Sequence, residues 1–406
     1  MSILFGHPTG NPNSHQAALA HLERGCLEAF CVPWMPTPGA LGLLQRVPGL
    51  RSQASRLERR YFPPLATAKL VQGKLGEWKR LTVRALGRGD EGLAYQANDW
   101  LMHTMARECR RKSVTAVHSY EDCSLWQFEE AKRLGKACIY DMPIGYYSAW
   151  EQKQTELAKR YVNWLPPDWR LSNRWVRPEQ KRREMVLADV VIAPSCFVKD
   201  TILRFHADKN VALAPYGVDL EFWRPQFPAL SPSSSGPLRF VFAGQCSIRK
   251  GTPVLLDAWK RAGLRDASLS LVGSWHLAPE REKDLPDNVS FIGPVSREAL
   301  RSILGEADVF VFPTFFEGRA LAVAEALACG LPVITTAASG MSDLVNPSCG
   351  RVIPSGSEDQ LVDALRWFAE KRDRIPAMRA AARAQAETCT WAHYRECVSD
   401  AVADFV

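Results

Sequence analysis

The 406-residue sequence contains no run of 18 apolar residues, so no segment reads as a membrane-spanning helix. Its longest apolar stretches, such as the one around Val309 to Phe316, have the length of a buried strand. The amino terminus reads Met-Ser-Ile-Leu-Phe and reaches His7-Pro8 at once. It lacks a basic region and a long apolar core, so a secretory signal is not expected. Cys-x-x-Cys pairs are also lacking among the 11 cysteines, which are scattered singly from Cys26 to Cys397. That spacing suits neither a zinc site nor a disulfide framework and reads as reduced, buried thiols in a cytoplasmic protein. His-Glu-x-x-His and Gly-x-Ser-x-Gly are missing, which removes the common zinc-hydrolase and serine-hydrolase patterns.

What is present is ordinary in bulk and uneven in detail. Apolar residues make up 46% and charged residues 23%, which excludes a disordered, collagen-like or simple coiled-coil chain, and the length suggests two domains. The net charge of +7 is polarised. Residues 1–235 hold 32 Lys and Arg against 23 Asp and Glu, a net +9, whereas residues 236–406 hold 19 against 21, a net −2. Residues 46–112 alone carry 15 basic and 6 acidic residues, again +9.

A Pro/Ser-rich stretch, 225–237, reads as a linker because it buries little and its prolines resist helix. Beyond it, strands are expected at 239–244, 269–273, 289–293, 308–313 and 331–335. Helices are expected at 252–262, 296–306 and 319–329. Before it, strands are expected at 3–6, 114–118, 137–141, 187–193 and 211–215, with a helix at 15–25. Residues 46–112 and 146–186 look largely helical. Short strands apolar on both faces, alternating with helices, argue for α/β domains with covered parallel sheets.

Ligands of open α/β sheets bind at the carboxyl ends of strands, so the loops there carry the candidate chemistry. In Phe316-Glu317-Gly318-Arg319-Ala320-Leu321 running on to Glu325, two glutamates stand eight residues apart at a helix start. They project about 80° apart round the axis. Gly318 permits close backbone approach. The amides of Arg319, Ala320 and Leu321 are open helix-end donors suited to a diphosphate, and Glu325 could accept from a ribose. An acidic residue complementing the helix dipole, plus a solvent-facing glutamate, would give the same pattern. Gly244-Gln245-Cys246-Ser247-Ile248-Arg249-Lys250-Gly251 places two cations on another strand-to-helix loop, either for phosphate or as a solvated basic loop. It lacks the Gly-Lys-Ser/Thr ending of a P-loop. His7-Pro8-Thr9-Gly10-Asn11-Pro12-Asn13-Ser14-His15 offers tight backbone near a ligand at Gly10 and Asn11, or an ordinary turn with Ser14 as helix cap. Asp141 and His118 close strands of the first half and could polarise a hydroxyl.

In combination, these residues resemble the retaining glycosyltransferases of family 4, whose fold is GT-B. The likeness runs from about Leu238 to Thr390. It is carried by Gly244 with Arg249-Lys250-Gly251, by Gly293-Pro294-Val295, by the Glu317…Glu325 pair, and by Ala328-Cys329-Gly330-Leu331-Pro332-Val333-Ile334. Ala193-Pro194-Ser195, Pro215-Tyr216-Gly217-Val218-Asp219 and Trp391 match flanking features. The first 180 residues match only loosely.

The resemblance implies two Rossmann-like, doubly wound domains facing a cleft. These are an acceptor domain at 1–224, a linker at 225–237, a nucleotide-sugar domain at 238–389, and a last helix, 390–406, crossing back to the first domain. It implies retaining transfer of a sugar from a UDP- or GDP-sugar to a glycan, lipid-linked or small-molecule acceptor hydroxyl, without a metal or other cofactor. Glu317, Lys250, Arg249 and Asp141 would serve the chemistry. Glu325, Gly318, Arg319, Ala320, Leu321, Gly244, Val295, Gly10 and Asn11 would hold the donor. The sequence departs from the family pattern at Gln245, where Arg is frequent, at Arg319-Ala320, where Phe-Gly is usual, and at Tyr216, where Asn is common.

The basic segment interleaves Arg56, Arg59, Arg60, Lys69, Lys74, Lys79, Arg80, Arg84 and Arg88 with Leu57, Tyr61, Phe62, Leu65, Leu70, Leu75, Trp78, Leu81 and Leu86. Such a surface suits an anionic membrane at the cytoplasmic face or a lipid-diphosphate acceptor, or is simply a solvated helical face. No nucleic-acid motif accompanies the charge. A nucleotide-sugar epimerase of the same fold and a non-catalytic nucleotide-sugar-binding protein are the alternatives.

Overall fold

The computed structural model describes residues 2–47, 51–58, 60–85, 91–167, 169, 177–225 and 236–405. Among these, thirteen strands build two wholly parallel sheets. The first contains β1 (Ser2–Gly6), β2 (Leu27–Val32), β3 (Leu70–Gln72), β4 (Val114–Tyr120), β5 (Ala137–Asp141), β6 (Val190–Ala193) and β7 (Val211–Leu213), in the order β3-β2-β1-β4-β5-β6-β7. The second contains β8 (Leu238–Ala243), β9 (Ala267–Val272), β10 (Val289–Gly293), β11 (Val309–Phe312), β12 (Val333–Thr336) and β13 (Gly350–Ile353), in the order β10-β9-β8-β11-β12-β13. Both are doubly wound. The strand order reverses between β1 and β4, and again between β8 and β11, and these switch points open the ligand crevices of such sheets.

Three strands were not expected from the sequence. β2 begins with Leu27-Glu28, and Glu28 is spent on Lys69, 3.1 Å away. β3 is three residues long and lies inside the segment read as helical. β13 begins at a glycine and carries Arg351. Each of these is held by its partner strand more than by its own propensity. The linker expected at 225–237 falls mostly on 226–235, outside the described residues.

Helix starts are set by caps. The first helix, Pro12–Glu23, begins before His15 because Asn11 accepts from the Ser14 amide at 2.8 Å while Ser14 Oγ accepts from the Asn11 amide at 2.9 Å. Asn11, not Ser14, is therefore the cap. The Arg297–Glu306 helix is capped by Ser296 through the Ala299 amide. The Leu125–Arg133 helix borrows its cap. Glu184, fully buried on the Pro178–Leu187 helix, accepts from the amides of Asp122, Ser124 and Leu125, from Tyr140 Oη and from Gln180 Nε2. Glu184→Ala would strand several of these donors. At about 1–3 kcal/mol for each unsatisfied buried group, it should lower unfolding free energy by about 3 kcal/mol or more. Urea denaturation checks this, and an unchanged midpoint would contradict the capping role.

Each domain lends an element to the other's core. Tyr394, Val398 and Val402, on or just after the Trp391–Ala401 helix, are buried in the first domain, and that helix packs along Pro12–Glu23. In return Leu157 and Tyr161, on or just after the Tyr147–Arg160 helix, are buried in the second domain's core, and Trp150 packs on Phe316 with ring centres 5.3 Å apart. All 11 cysteines are unpaired and nine are buried, leaving Cys196 exposed and Cys397 between.

Candidate active site

The switch point of the second sheet brings together two loops far apart in sequence. The loop after β8 delivers Arg249 and Lys250, and the loop after β11 delivers Glu317. Lys250 Nζ lies 2.6 Å from Glu317 Oε1, and Arg249 Nη1 lies 2.7 Å from the same oxygen. Arg249 also donates to the Phe316 carbonyl at 2.8 Å, and Thr314 Oγ1 donates to Glu317 Oε1 at 3.3 Å. Glu317 is 8% exposed. The Lys250 ammonium sits 5.0 Å over the Phe312 ring. Burial pulls the Lys250 pKa below its usual value, with the Glu317 carboxylate opposing the shift. The three groups expected to hold a ligand thus hold one another. Gly251 (φ +78°) makes the turn into Thr252–Ala262, and a Cβ there would meet the Pro313 carbonyl oxygen at 2.1 Å.

The stretch following Glu317 departs from expectation. Gly318 does approach backbone closely, but that backbone is the first domain's. A Cβ on Gly318 would lie 1.7 Å from the Pro143 carbonyl oxygen, and Ser195 Oγ donates to the Gly318 carbonyl at 2.6 Å. Nor is Arg319 an added cation for the ligand. It is buried, and it donates to the Gly340 carbonyl and pairs with Asp343 at 3.0 Å. The Ala320 amide is spent on the Ser339 carbonyl at 2.9 Å. The helix consequently starts at Leu321, and its open amide donors are those of Leu321 and Ala322.

Glu325 lies one turn further along and is half-buried. Burial raises its pKa to about 7, against the favourable charge of Arg297 and a bond from the Trp223 indole. Arg297 lies 3.7 Å from Asp219 and stacks 4.3 Å over Phe222. The roles of Arg297 and Trp223 were not read from the sequence, because they act on Glu325 from other elements with no shared spacing. Val295 is exposed after β10, where Gly293 turns at φ +79°. The Gly244 amide continues the β8–β9 ladder to the Val272 carbonyl.

The first domain's candidates are internal. His7 Nδ1 accepts from the Thr9 and Gly10 amides at 3.1 and 2.9 Å, and the Asn11 side chain is committed to its helix cap. His118 Nδ1 lies 2.9 Å from His21 Nε2, and its other ring nitrogen is 3.7 Å from Asp141. Asp141 is corrected from a cleft residue to a core one. It is 1% exposed, beneath Tyr120, Tyr216 and the Tyr394 brought by the last helix. Burial raises its pKa from 3.8 to about 8 and lowers that of His118 from 6.5 to about 3. Between those Asp141 values the folded chain holds a proton the unfolded chain has lost, so stability falls as pH rises. His118 acts in the opposite sense below pH 6.5 and is silent above it. Asp141→Asn should therefore flatten the decline in melting temperature between pH 6.5 and 8. An unaltered pH profile would contradict this.

Part of the basic segment is also internal. Buried Glu77 pairs with Arg60 at 3.1 Å and Arg80 at 3.0 Å. Leu43, Val47, Leu75 and Trp78 are exposed, alongside exposed Arg46, Lys74 and Lys79. The side chains of Arg56, Arg59, Arg84, Arg88, Leu81 and Leu86 lie outside the described residues. No helix of the described residues is long and apolar enough to cross a membrane.

Residues 237–371 match the family Glycosyl transferases group 1. Over 255 residues the chain is 29% identical to the D-inositol 3-phosphate glycosyltransferase of Paenarthrobacter aurescens, covering 55% of this chain and 62% of that protein. Over 192 residues it is 30% identical to a GDP-mannose-dependent monoacylated alpha-(1-6)-phosphatidylinositol monomannoside mannosyltransferase of Corynebacterium glutamicum, covering 43% and 50%. The chain thus spans about half to three-fifths of the length of these curated relatives. Among solved structures, sucrose-phosphate synthase of Thermosynechococcus elongatus superposes over 100% of this chain and 98% of its own, with a TM-score of 0.63 at 16% identity. HepE of Anabaena, in complex with UDP, does so over 100% of both chains with a TM-score of 0.62 at 14%. The fold is GT-B, and the match to glycosyl transferases group 1 falls on the second domain.

Proposed function

We propose that this protein is a retaining, family 4-like glycosyltransferase that moves a sugar from a nucleotide-diphosphate donor to an acceptor hydroxyl, in polysaccharide or glycoconjugate synthesis. The observation that carries the reading is the Glu317–Arg249–Lys250 cluster at the second sheet's switch point, in the loop before the helix that carries Glu325. The donor diphosphate takes the place of Glu317 against Arg249 and Lys250. Glu317, released, accepts from hydroxyls of the transferred sugar, and Glu325 accepts from the ribose. As the bond from C1 to the diphosphate breaks, charge grows on the leaving oxygens. The two cations and the Leu321 and Ala322 amides meet it, so neither metal nor cofactor is called on. The acceptor is a glycan, a lipid-linked sugar or a small molecule; the relatives' names carry one of the last two kinds each, inositol 3-phosphate and a phosphatidylinositol mannoside.

A thermal-shift panel of UDP-, GDP- and ADP-sugars tests the donor, since a ligand that binds only the folded state raises the melting temperature. One nucleotide series should do so, with and without chelator, and the bound sugar should transfer with its anomeric configuration kept. No shift from any of them would overturn the reading.

We further propose that exposed Leu43, Val47, Leu75 and Trp78, with Arg46, Lys74 and Lys79, rest on an anionic membrane surface. Vesicles containing phosphatidylglycerol should sediment the protein at low salt and release it at high salt. Equal sedimentation with neutral vesicles would refute the electrostatic part.

A further inference from the structure

We infer that the cavity between the Tyr147–Arg160 helix and the carboxyl edge of the second sheet is a saccharide subsite for the acceptor, an inference that rests on the glycosyltransferase reading. The cavity measures about 520 Å³, within the roughly 300–1,000 Å³ of small-molecule sites. Both domains build it. Trp150 and Gln154 come from the first, and Gln245, Arg249, Trp275 and His276 come from the second.

Of the three lining tryptophans, Trp150, Trp169 and Trp275, all half-buried, the first and last are fixed in place by ring contacts. Trp150 rests on Phe316, and Trp275 meets Phe291 edge-on with ring centres 5.3 Å apart. The Trp275 Nε1–H is already spent on the Ala278 carbonyl at 3.2 Å, so this ring contributes an apolar surface rather than a donor. Gln154 and Gln245 each add an amide that both donates and accepts. A pyranose presents an apolar C–H face and a rim of hydroxyls, which these groups match.

Charge narrows the ligand class. The described lining has no carboxylate, which disfavours a cation. Its one guanidinium, Arg249, is committed to Glu317 and the Phe316 carbonyl, which disfavours a second phosphate. A neutral sugar remains. Arg249 is also the wall the cavity shares with Glu317, so a sugar held here lies beside the carboxylate that faces the transferred sugar.

The test is saturation-transfer NMR on the full chain with maltose, cellobiose, lactose and α-1,6-mannobiose, run beside the nucleotide-sugar panel. At least one disaccharide should bind. Trp275→Ala and Gln154→Ala should each weaken it, Trp275→Ala by about tenfold, while the nucleotide-induced melting shift is unchanged. Trp275→Phe keeps the contact with Phe291 and should restore part of the binding, which guards against a folding defect. If nucleotides bind but no disaccharide does, or if disaccharide binding is equal in all variants, the subsite is overturned and the donor reading stands. If nucleotides fail as well, the donor reading falls first.

Discussion

Lys250→Ala should lower kcat/KM about 10²–10³-fold, the cost of removing one preorganised contact to a developing anion. Its fold should persist, because Glu317 keeps Arg249 as a partner. Glu317→Ala should lose transfer to a similar degree and differ in binding. In the native protein Glu317 occupies the two cations, so a diphosphate must displace it. Without that carboxylate, Arg249 and Lys250 face each other with no counter-ion between them. UDP or GDP, whichever the panel selects, should then raise the melting temperature more than it does in the native protein. Tighter nucleotide binding with lost turnover is the signature. Weaker binding in Glu317→Ala would show that the carboxylate does not compete with the diphosphate.

Gly318→Ala tests the seam between the domains. Its Cβ would sit 1.7 Å from the Pro143 carbonyl oxygen and 3.2 Å from Ile144 Cα. Backbone on both sides leaves no flexible side chain to yield, so the loop or the first domain must move by an ångström or more. Displacements of that size can cost about 10² in rate. The expected result is a loss of that order in kcat/KM with little change in melting temperature, because neither hydrophobic core is touched. Steady-state kinetics and calorimetry together decide it, and native kinetics would mean that the seam is not closed during turnover.

Much of the second domain was legible in advance. β8 to β12 and the helices 252–262 and 297–306 fall within two residues of their expected bounds, because apolar runs between glycine turns signal buried parallel strands. The first domain was less legible. β3 exists through its pairing with β2, and no three-residue stretch carries its own signal. The helix expected from Arg319 begins two residues later because the Ala320 amide finds Ser339 first.

By itself the sequence determined the two covered parallel sheets and which loops would carry charge at their carboxyl edges. Period, turn residues and loop composition are local properties. Only the tertiary structure decided what each charge meets. Arg249 reaches Glu317 across 68 positions, Ser195 reaches Gly318 across 123, and Arg319 turns away to Asp343. Asp141 looked like a cleft residue until the last helix laid Tyr394 beside it, and burial then made a proton more favourable there than a charge. Such pairings depend on which strands neighbour each other and where the domains touch, and no local spacing encodes either.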